Sequence, residues 1–405
     1  MKPNISPINI IQPEKNFEIH KAGWVMVDPW HIIENGSVLV ENYVIKKIFQ
    51  NKSFHDSNST VPIFDHGNGV LMSPLINAHT HFELSCFKNK LSVDHTIENT
   101  FETWVRDLLS LREQTEEKVV KEYAKASMDD LFNSGTLYAG DISTTGVTQK
   151  LFQESKLSGI WFHEFLGSVI DEKAVDFFEK SGKVHCSVAG HAPHTTSPDL
   201  LKYKKELANL KGLPFPIHVE ESIAEKEFIS TGKGKWADFL QERSIDFSFW
   251  GLPQKSSIRH LMNHSILDPL TLLVHVLNSD DEDFRIIAES GAKVCVCPRS
   301  NMNLHGKLPQ IEKMLDMGIK PAIGTDSLAS CDSLCVFDEM KYIKAHFETI
   351  DLAIIIAMAT QYGADALGMG DKTGSIEKGK RAEMLYIPLD VKTKTELLEK
   401  IILYE

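Results

Sequence analysis

The sequence lacks any long uncharged apolar segment, so nothing in it reads as a membrane span. It opens Met1-Lys2-Pro3-Asn4, with no apolar signal core behind these residues. Cysteine is scarce. Cys86, Cys186, Cys295, Cys297, Cys331 and Cys335 are the six in 405 residues, and no two are spaced Cys-x-x-Cys. That density excludes a disulfide scaffold, and a reduced, cytoplasmic location is expected. Positive charge is also short: 43 Lys and Arg stand against 56 Asp and Glu, a formal net charge of -13. A chain this acidic has no bulk attraction for nucleic acid, although a small nucleoside ligand stays open. Neither an internal repeat nor a low-complexity tract is present.

What is present is material for a core, arranged in alternation. Hydrophobic residues make up 42% of the chain. The length allows two or three domains, and an α/β barrel can hold ~250 residues as one unit. The first ~70 residues carry short strand-like runs, Trp24-Val25-Met26-Val27, Ser37-Val38-Leu39-Val40 and Tyr43-Val44-Ile45, broken by Asn35-Gly36 and Glu41-Asn42. They read as a small sheet domain. From Val70 onward, apolar runs of strand length alternate with helical stretches such as 116–133 and 281–290. The runs fall at 71–81, 136–141, 159–165, 184–192, 215–221, 272–278, 293–301 and 320–327. Strands that alternate with helices pair in parallel, and eight of them fit a (β/α)8 TIM-type barrel. The expected division is 1–70 for the N-terminal part of a small β-sandwich-like domain, 71–373 for the barrel, and 374–405 for a return to the small domain. The long stretch 222–269 carries Trp236, Phe239, Phe247, Phe249 and Trp250 and is expected to cover the barrel mouth.

Barrel active sites lie at the C-terminal ends of the strands, so the last polar residue of each run matters most. The first run ends Asn77-Ala78-His79-Thr80-His81-Phe82-Glu83. A strand alternates its side chains, so His79 and His81 share a face. Run two ends in Asp141, run three carries His163 and Glu164, and run four leads to His191 and His194. Run five ends in His218, with Glu221 three residues on; run six ends in His275 and run eight in Asp326. A lone histidine at an apolar strand end is more often structural than catalytic. Four such strands converging on one rim are different, because burying those imidazoles beside a carboxylate without a cation is costly. Histidines with an aspartate suit one zinc ion with an open position, and Fe2+ or another divalent metal is compatible. Asp141, His163, Glu164 and His191 read as structural hydrogen-bonding groups, and Cys295 and Cys297 as core packing.

His79-Thr80-His81, His218, His275 and Asp326, in this order and at these strand ends, resemble the amidohydrolase superfamily over nearly the whole chain. Within it the chain looks like the branch of cytosine, guanine and adenosine-type deaminases and triazine chlorohydrolases. His218-Val219-Glu220-Glu221 matches that branch's His-x-x-Glu, and Pro298-Arg299-Ser300-Asn301 resembles its Pro-x-Ser-Asn strand. No lysine closes run four, where binuclear relatives carry a carboxylated one, so the resemblance implies one metal rather than two. It implies that His79, His81, His218 and Asp326 hold the zinc, with His275 beside the bound water. Glu221 would face the substrate ring, and His194, in Ala192-Pro193-His194, matches a substrate-contacting histidine of nucleoside-type members.

The chemistry agrees with these roles. Zinc lowers the pKa of a bound water to about 7, which supplies hydroxide for attack on an amidine-like ring carbon. Glu221 can supply the proton that a neighbouring ring nitrogen must gain, and Asp326 and His275 can move the water proton to the leaving amine. Glu83 is expected to reach a substrate hydroxyl. Arg299 is expected to contact substrate or to pair with an acid on the rim.

The block Ile76 to Ser85, the aromatic insertion and Cys297-Pro298-Arg299-Ser300-Asn301 look most like the aminodeoxyfutalosine deaminases of menaquinone biosynthesis. Such enzymes convert the 6-amino group of a sugar-substituted adenine nucleoside to an oxo group. S-adenosylhomocysteine, methylthioadenosine and adenosine deaminases are the runner-up, and a chlorohydrolase would use the same site. A barrel that has lost catalysis and serves as a scaffold is the competing class, but such relatives normally lose a metal ligand and here every expected one is present. The expected partner is a small nucleoside substrate, with no nucleic acid and no membrane, and a homodimer is allowed.

Overall fold

The structure is a computed structural model that describes residues 8–13, 17–50, 61–92, 101–170, 178–180 and 182–404. Two sheets organise it. The first joins β1 (Asn9–Ile11), β2 (Glu18–Met26), β3 (Ile32–Glu41), β4 (Val44–Gln50), β5 (Ile63–Asp65), β6 (Val70–Met72) and β15 (Met384–Ile387). Its order is β1-β15-β6-β2-β3-β4, with β5 pairing onto β2. The terminal segments therefore meet in one seven-stranded sheet, through antiparallel β1–β15 and β15–β6 pairs.

The second sheet is the barrel. It runs through β7 (Leu75–Thr80), β8 (Thr136–Ser143), β9 (Ser158–Phe165), β10 (Val184–Gly190), β11 (Phe215–Val219), β12 (Thr271–His275), β13 (Lys293–Val296) and β14 (Ala322–Ile323). Neighbouring strands pair in parallel. A parallel bridge between Thr80 and Asp326 closes the ring from β7 to the end of β14. The bonds His81 N–H to Asp326 O (3.2 Å) and Thr325 N–H to His79 O (3.0 Å) reinforce it. These strands are buried on both faces, which is why their sequences are nearly continuous apolar runs. Helices cover the outside, and their ends follow local chemistry. The helix Pro198–Lys211 starts on Ser197 with proline in its first turn and stops at left-handed Gly212. The helix Asp281–Ser290 starts on a capping box between Asp280 and Asp283.

Two runs differ from the expectation, and proline explains both. The run 71–81 is two strands: Val70–Met72 belongs to the terminal sheet, and the barrel begins at Leu75. Pro74 lacks the N–H that would continue one ladder. The run 293–301 stops as a strand at Val296, and Pro298 opens the helix Pro298–His305. The C-terminal segment also does more than rejoin the sheet. Its helix Lys394–Ile402 buries Leu397, Ile401 and Ile402 in the same cluster as Ile355 and Ile356. Cys295 and Cys297 are core residues, as read.

Candidate functional site

The ends of β7, β11, β12 and β14 bring their polar residues to one point. His79 is fully buried, and neither of its ring nitrogens has a hydrogen-bond partner. It fits there because residue 324 is glycine: a Cβ at Gly324 would stand 2.8 Å from the His79 Cβ and 2.9 Å from its carbonyl oxygen. Burial, and then the neighbouring His81, His218 and His275, push the His79 pKa well below its ordinary value, so the ring is neutral. Burial likewise lowers His81 and His275.

Around His79 the other groups are held by partners that point them inward. Asp326 adopts a left-handed φ of 59°. Its Oδ2 accepts from Ser300 Oγ (2.5 Å) and Ser330 Oγ (2.8 Å). Its Oδ1 is left facing His79 Nε2 at 3.8 Å and His81 Nε2 at 3.7 Å. His218 Nδ1 bonds the carbonyl of His191 at 2.9 Å, which directs its Nε2 to within 3.3 Å of His81 Nε2. Asn301 Nδ2 meets His275 Nδ1 at 3.0 Å. Nitrogen and oxygen atoms of His79, His81 and Asp326, and of His79, His218 and His275, lie within 4.8 Å of one another. His79, buried with both nitrogens free, beside His218 and His275, each with one nitrogen held by a backbone carbonyl or an amide, makes a donor set that suits a divalent ion.

Glu221 stands beside this corner. Its Oε1 lies 3.6 Å from His275 Nε2 and 3.1 Å from His305 Nε2. Burial alone would raise its pKa, but His275 and His305 outweigh this and hold the carboxyl well below the usual range. The group is therefore a carboxylate at rest. Glu164 behaves similarly: burial opposes ionisation, and His191, His218 and His81 bring its pKa down to about 2.

Above these residues opens a cavity of about 320 Å³. His81, His218, Glu221, His275 and Asp326 line its floor, and His194 lines one side. The rest of the lining is largely apolar, and Trp236 packs on His194 with ring centres 4.4 Å apart. Phe101, Trp104, Leu108 and Leu109 come from the helix Phe101–Gln114, and Trp236 and Phe239 from the helix Lys235–Glu242. The indole N–H groups of Trp104 and Trp236 are buried without a partner, as are both ring nitrogens of His194. The stretch 222–269 forms three short helices, Ile223–Thr231, Lys235–Glu242 and Ser257–Asn263. Trp236 and Phe239 reach the cavity, as expected of a cover. Phe247 and Trp250 instead pack on Phe228, and Phe249 is 89% exposed.

Of the residues singled out from the sequence, His79, His81, His218, His275, Asp326, Glu221 and His194 gather at this floor and its side. Glu83 lines the cavity too. Its carboxylate accepts from Ser143 Oγ, Thr145 Oγ1, the Thr144 and Thr145 N–H groups and Arg112 Nη2. Asp141 is structural, accepting from Phe82 N–H and Thr148 Oγ1. Arg299 does not reach the cavity. It pairs with Asp332, the Ser333 carbonyl and Glu339. The reason is the helix: at about 100° per residue, Ser300 and Asn301 face Asp326 and His275 while Arg299 faces away, whereas a strand would have put Arg299 and Asn301 on one face. Sequence reading missed Arg112, Trp104 and His305. An amphipathic helix that faces a cavity has the same pattern as one that faces a core.

With this geometry in place, comparison with known proteins is direct. The amidohydrolase family profile matches residues 70–401, and the chain belongs to that family. It is 26% identical over 380 residues to the 5'-deoxyadenosine deaminase of Methanosphaera stadtmanae, covering 89% of this chain and 82% of the relative. It is 29% identical over 365 residues to the aminodeoxyfutalosine deaminase of a Nitratiruptor species, covering 86% and 84%. The crystal structure of Helicobacter pylori aminofutalosine deaminase with methylthio-coformycin superposes with a TM-score of 0.83 at 25% identity and covers 96% of both chains. Among the described residues, no helix is long and apolar enough to cross a membrane.

Proposed function

We propose that this chain is a zinc-dependent hydrolytic deaminase of a 6-aminopurine nucleoside with an apolar or aryl 5′ substituent, with 6-amino-6-deoxyfutalosine its substrate. The observation that carries the reading is His79, buried with both nitrogens unpartnered, facing His81, His218 and Asp326 beside a carboxylate, Glu221. His79, His81, His218 and Asp326 would hold the ion, which when bound makes a water acidic near pH 7 and so supplies hydroxide. One ion suffices. A second group, Glu164, His191 and His218, is also close-set, but His218 Nδ1 is already committed to the His191 carbonyl.

The protein's own groups do the rest. Glu221 starts as a carboxylate, so it first takes one proton of the attacking water and then delivers it to the ring nitrogen next to the amino-bearing carbon. His275, oriented by Asn301, and Asp326, oriented by Ser300 and Ser330, take the second proton towards the departing amine. His194 flanks the nucleoside. The wall of Phe101, Trp104, Trp236 and Phe239 excludes water and gives a flat or apolar 5′ group a surface to pack on. A zwitterionic amino-acid tail, as in S-adenosylhomocysteine, fits less well. Glu83 is an acid of the same lining, and its oxygens are already taken by five donors.

Six unpaired cysteines support a reducing, cytoplasmic setting, and the substrate would place the reaction in menaquinone biosynthesis. Ammonia release across adenine nucleosides with varied 5′ groups tests the proposal. Turnover of 6-amino-6-deoxyfutalosine well above adenosine is expected. Triazine dechlorination without nucleoside turnover would overturn it.

A further inference from the structure

Glu221 reaches the cavity only because the chain leaves β11 with a kink. Side chains alternate along a strand, so with His218 facing inward, Glu220 would face inward next and Glu221 outward. Instead Glu220 takes a left-handed φ of 54°, a conformation that is unfavourable for a residue with a Cβ. Glu221 then turns in to meet His275 and His305. Such a kink persists only if its surroundings hold it.

Two side chains, Glu225 and Asn278, share that hold. Glu225 sits in the first turn of the helix Ile223–Thr231 and is fully buried. Its Oε1 accepts the Glu220 N–H at 2.8 Å, and its Oε2 accepts the Glu221 N–H at 2.9 Å. Two successive backbone N–H groups aimed at one carboxyl group form a nest. Ser257 Oγ donates to the same Oε1 at 2.6 Å. Asn278 grips the other side of the kink, its Nδ2 donating to the Glu220 and Glu221 carbonyls at 3.1 and 2.9 Å. Glu225 Oε2 also lies 3.7 Å from His194 Nδ1. That oxygen favours the hydrogen on Nδ1 and leaves Nε2 as an acceptor. Glu225 does not line the cavity itself.

We infer that Glu225 is a positioning residue: from the insertion after β11 it sets Glu221 for proton transfer and His194 for its contact with the nucleoside. The inference rests on the deaminase reading for its kinetic consequence and on the backbone geometry alone for the clamp. Glu225→Gln in the full-length, metal-loaded protein tests it, because the amide keeps the shape but presents N–H to one of the two backbone N–H groups. The variant is expected to keep one metal per chain while kcat falls about 100-fold and KM changes less than about threefold. Amide hydrogen exchange at Glu220 and Glu221 should speed up, with the rest of β11 unchanged. Unchanged kcat, or unchanged exchange at these two amides, overturns the inference. If the Gln variant does not fold, Glu225→Asp, which keeps the carboxyl group but retreats by one methylene, is read by the same two criteria. If the wild-type protein releases no ammonia from any adenine nucleoside, the deaminase reading fails, and the exchange comparison still decides the clamp.

Discussion

The floor and the apolar wall of the cavity are built by opposite rules. The floor consists of strand ends, each giving one or two polar groups that the closed barrel places and a partner orients: Asn301 for His275, Ser300 and Ser330 for Asp326, the His191 carbonyl for His218. The wall consists of two helices that lie in connections between strands and present Phe101, Trp104, Trp236 and Phe239. A barrel strand cannot move without disturbing both neighbours, whereas a connecting helix can change its residues freely. On the proposed deaminase reading, the floor would set the reaction and the wall which nucleoside enters. Relatives named for different adenine nucleosides match this chain at similar identity, which fits that division.

The largest effect should come from breaking the floor. Asp326→Asn weakens an oxygen that faces both His79 and His81. Bound metal and deamination should fall together to background, as they should when the wild-type protein is stripped with a chelator, and added zinc should restore only the wild type. Metal content by elemental analysis alongside ammonia release checks this. A variant that kept both would place the ion elsewhere.

Glu221→Gln separates chemistry from metal holding within the floor. Zinc should remain at one per chain, while kcat falls by about a thousandfold, the scale of losing a positioned acid–base group. Because Glu221 is ionised at rest, the wild-type rate should not depend on protonating it near neutral pH. Retained turnover in the Gln variant would remove Glu221 from the proton path.

The wall is probed by Trp104→Ala and Trp236→Ala. Neither residue is among the proposed metal ligands, so zinc content should not change, and turnover of plain adenosine should change little for Trp104→Ala and more for Trp236→Ala, whose indole packs on His194. For the nucleoside with a large 5′ group, kcat/KM should fall about tenfold to a hundredfold, as expected for emptying part of an apolar pocket. Equal losses for both substrates would mean that the wall closes the site rather than selecting the tail.

The same contrast explains what the sequence made legible. His79-Thr80-His81 stood out because a period of two puts both rings on one face. His218, His275 and Asp326 stood out because each ends an apolar run. Half of the wall was marked by the length of the aromatic insertion that carries Trp236 and Phe239, but the other half gave no such signal: Trp104 and Arg112 lie on a helix whose pattern equally suits a core. Glu225 reads as an ordinary first-turn helix carboxylate until the Glu220 kink it holds is seen. Two errors had a visible marker. Pro74 divides the first run and Pro298 turns the seventh into a helix, and with that helix Arg299 rotates out of the site.

Arg299 accordingly gives the smallest and most discriminating prediction. Its guanidinium lies 3.6 Å from the buried carboxyl group of Glu339, and the Arg299 backbone N–H donates to the same group at 3.2 Å. Burial pushes the Glu339 pKa up to about 8, so near neutrality this acid already carries its proton much of the time. Loss of the arginine then strands a neutral group more than a charge. Arg299→Ala should lower unfolding stability by about 1–3 kcal/mol, the cost of leaving a buried polar group unsatisfied. Because the folded pKa of Glu339 lies above its unfolded value, this acid destabilises the fold as pH rises from about 4.5 towards 8, and most strongly above that. The Ala variant, with Arg299's opposing charge removed and the Glu339 pKa higher still, should go on losing stability above pH 8, where the wild type levels off, as thermal unfolding at pH 6, pH 8 and pH 9 would show. kcat and KM should match the wild type; a raised KM at unchanged stability would put Arg299 back in the substrate site.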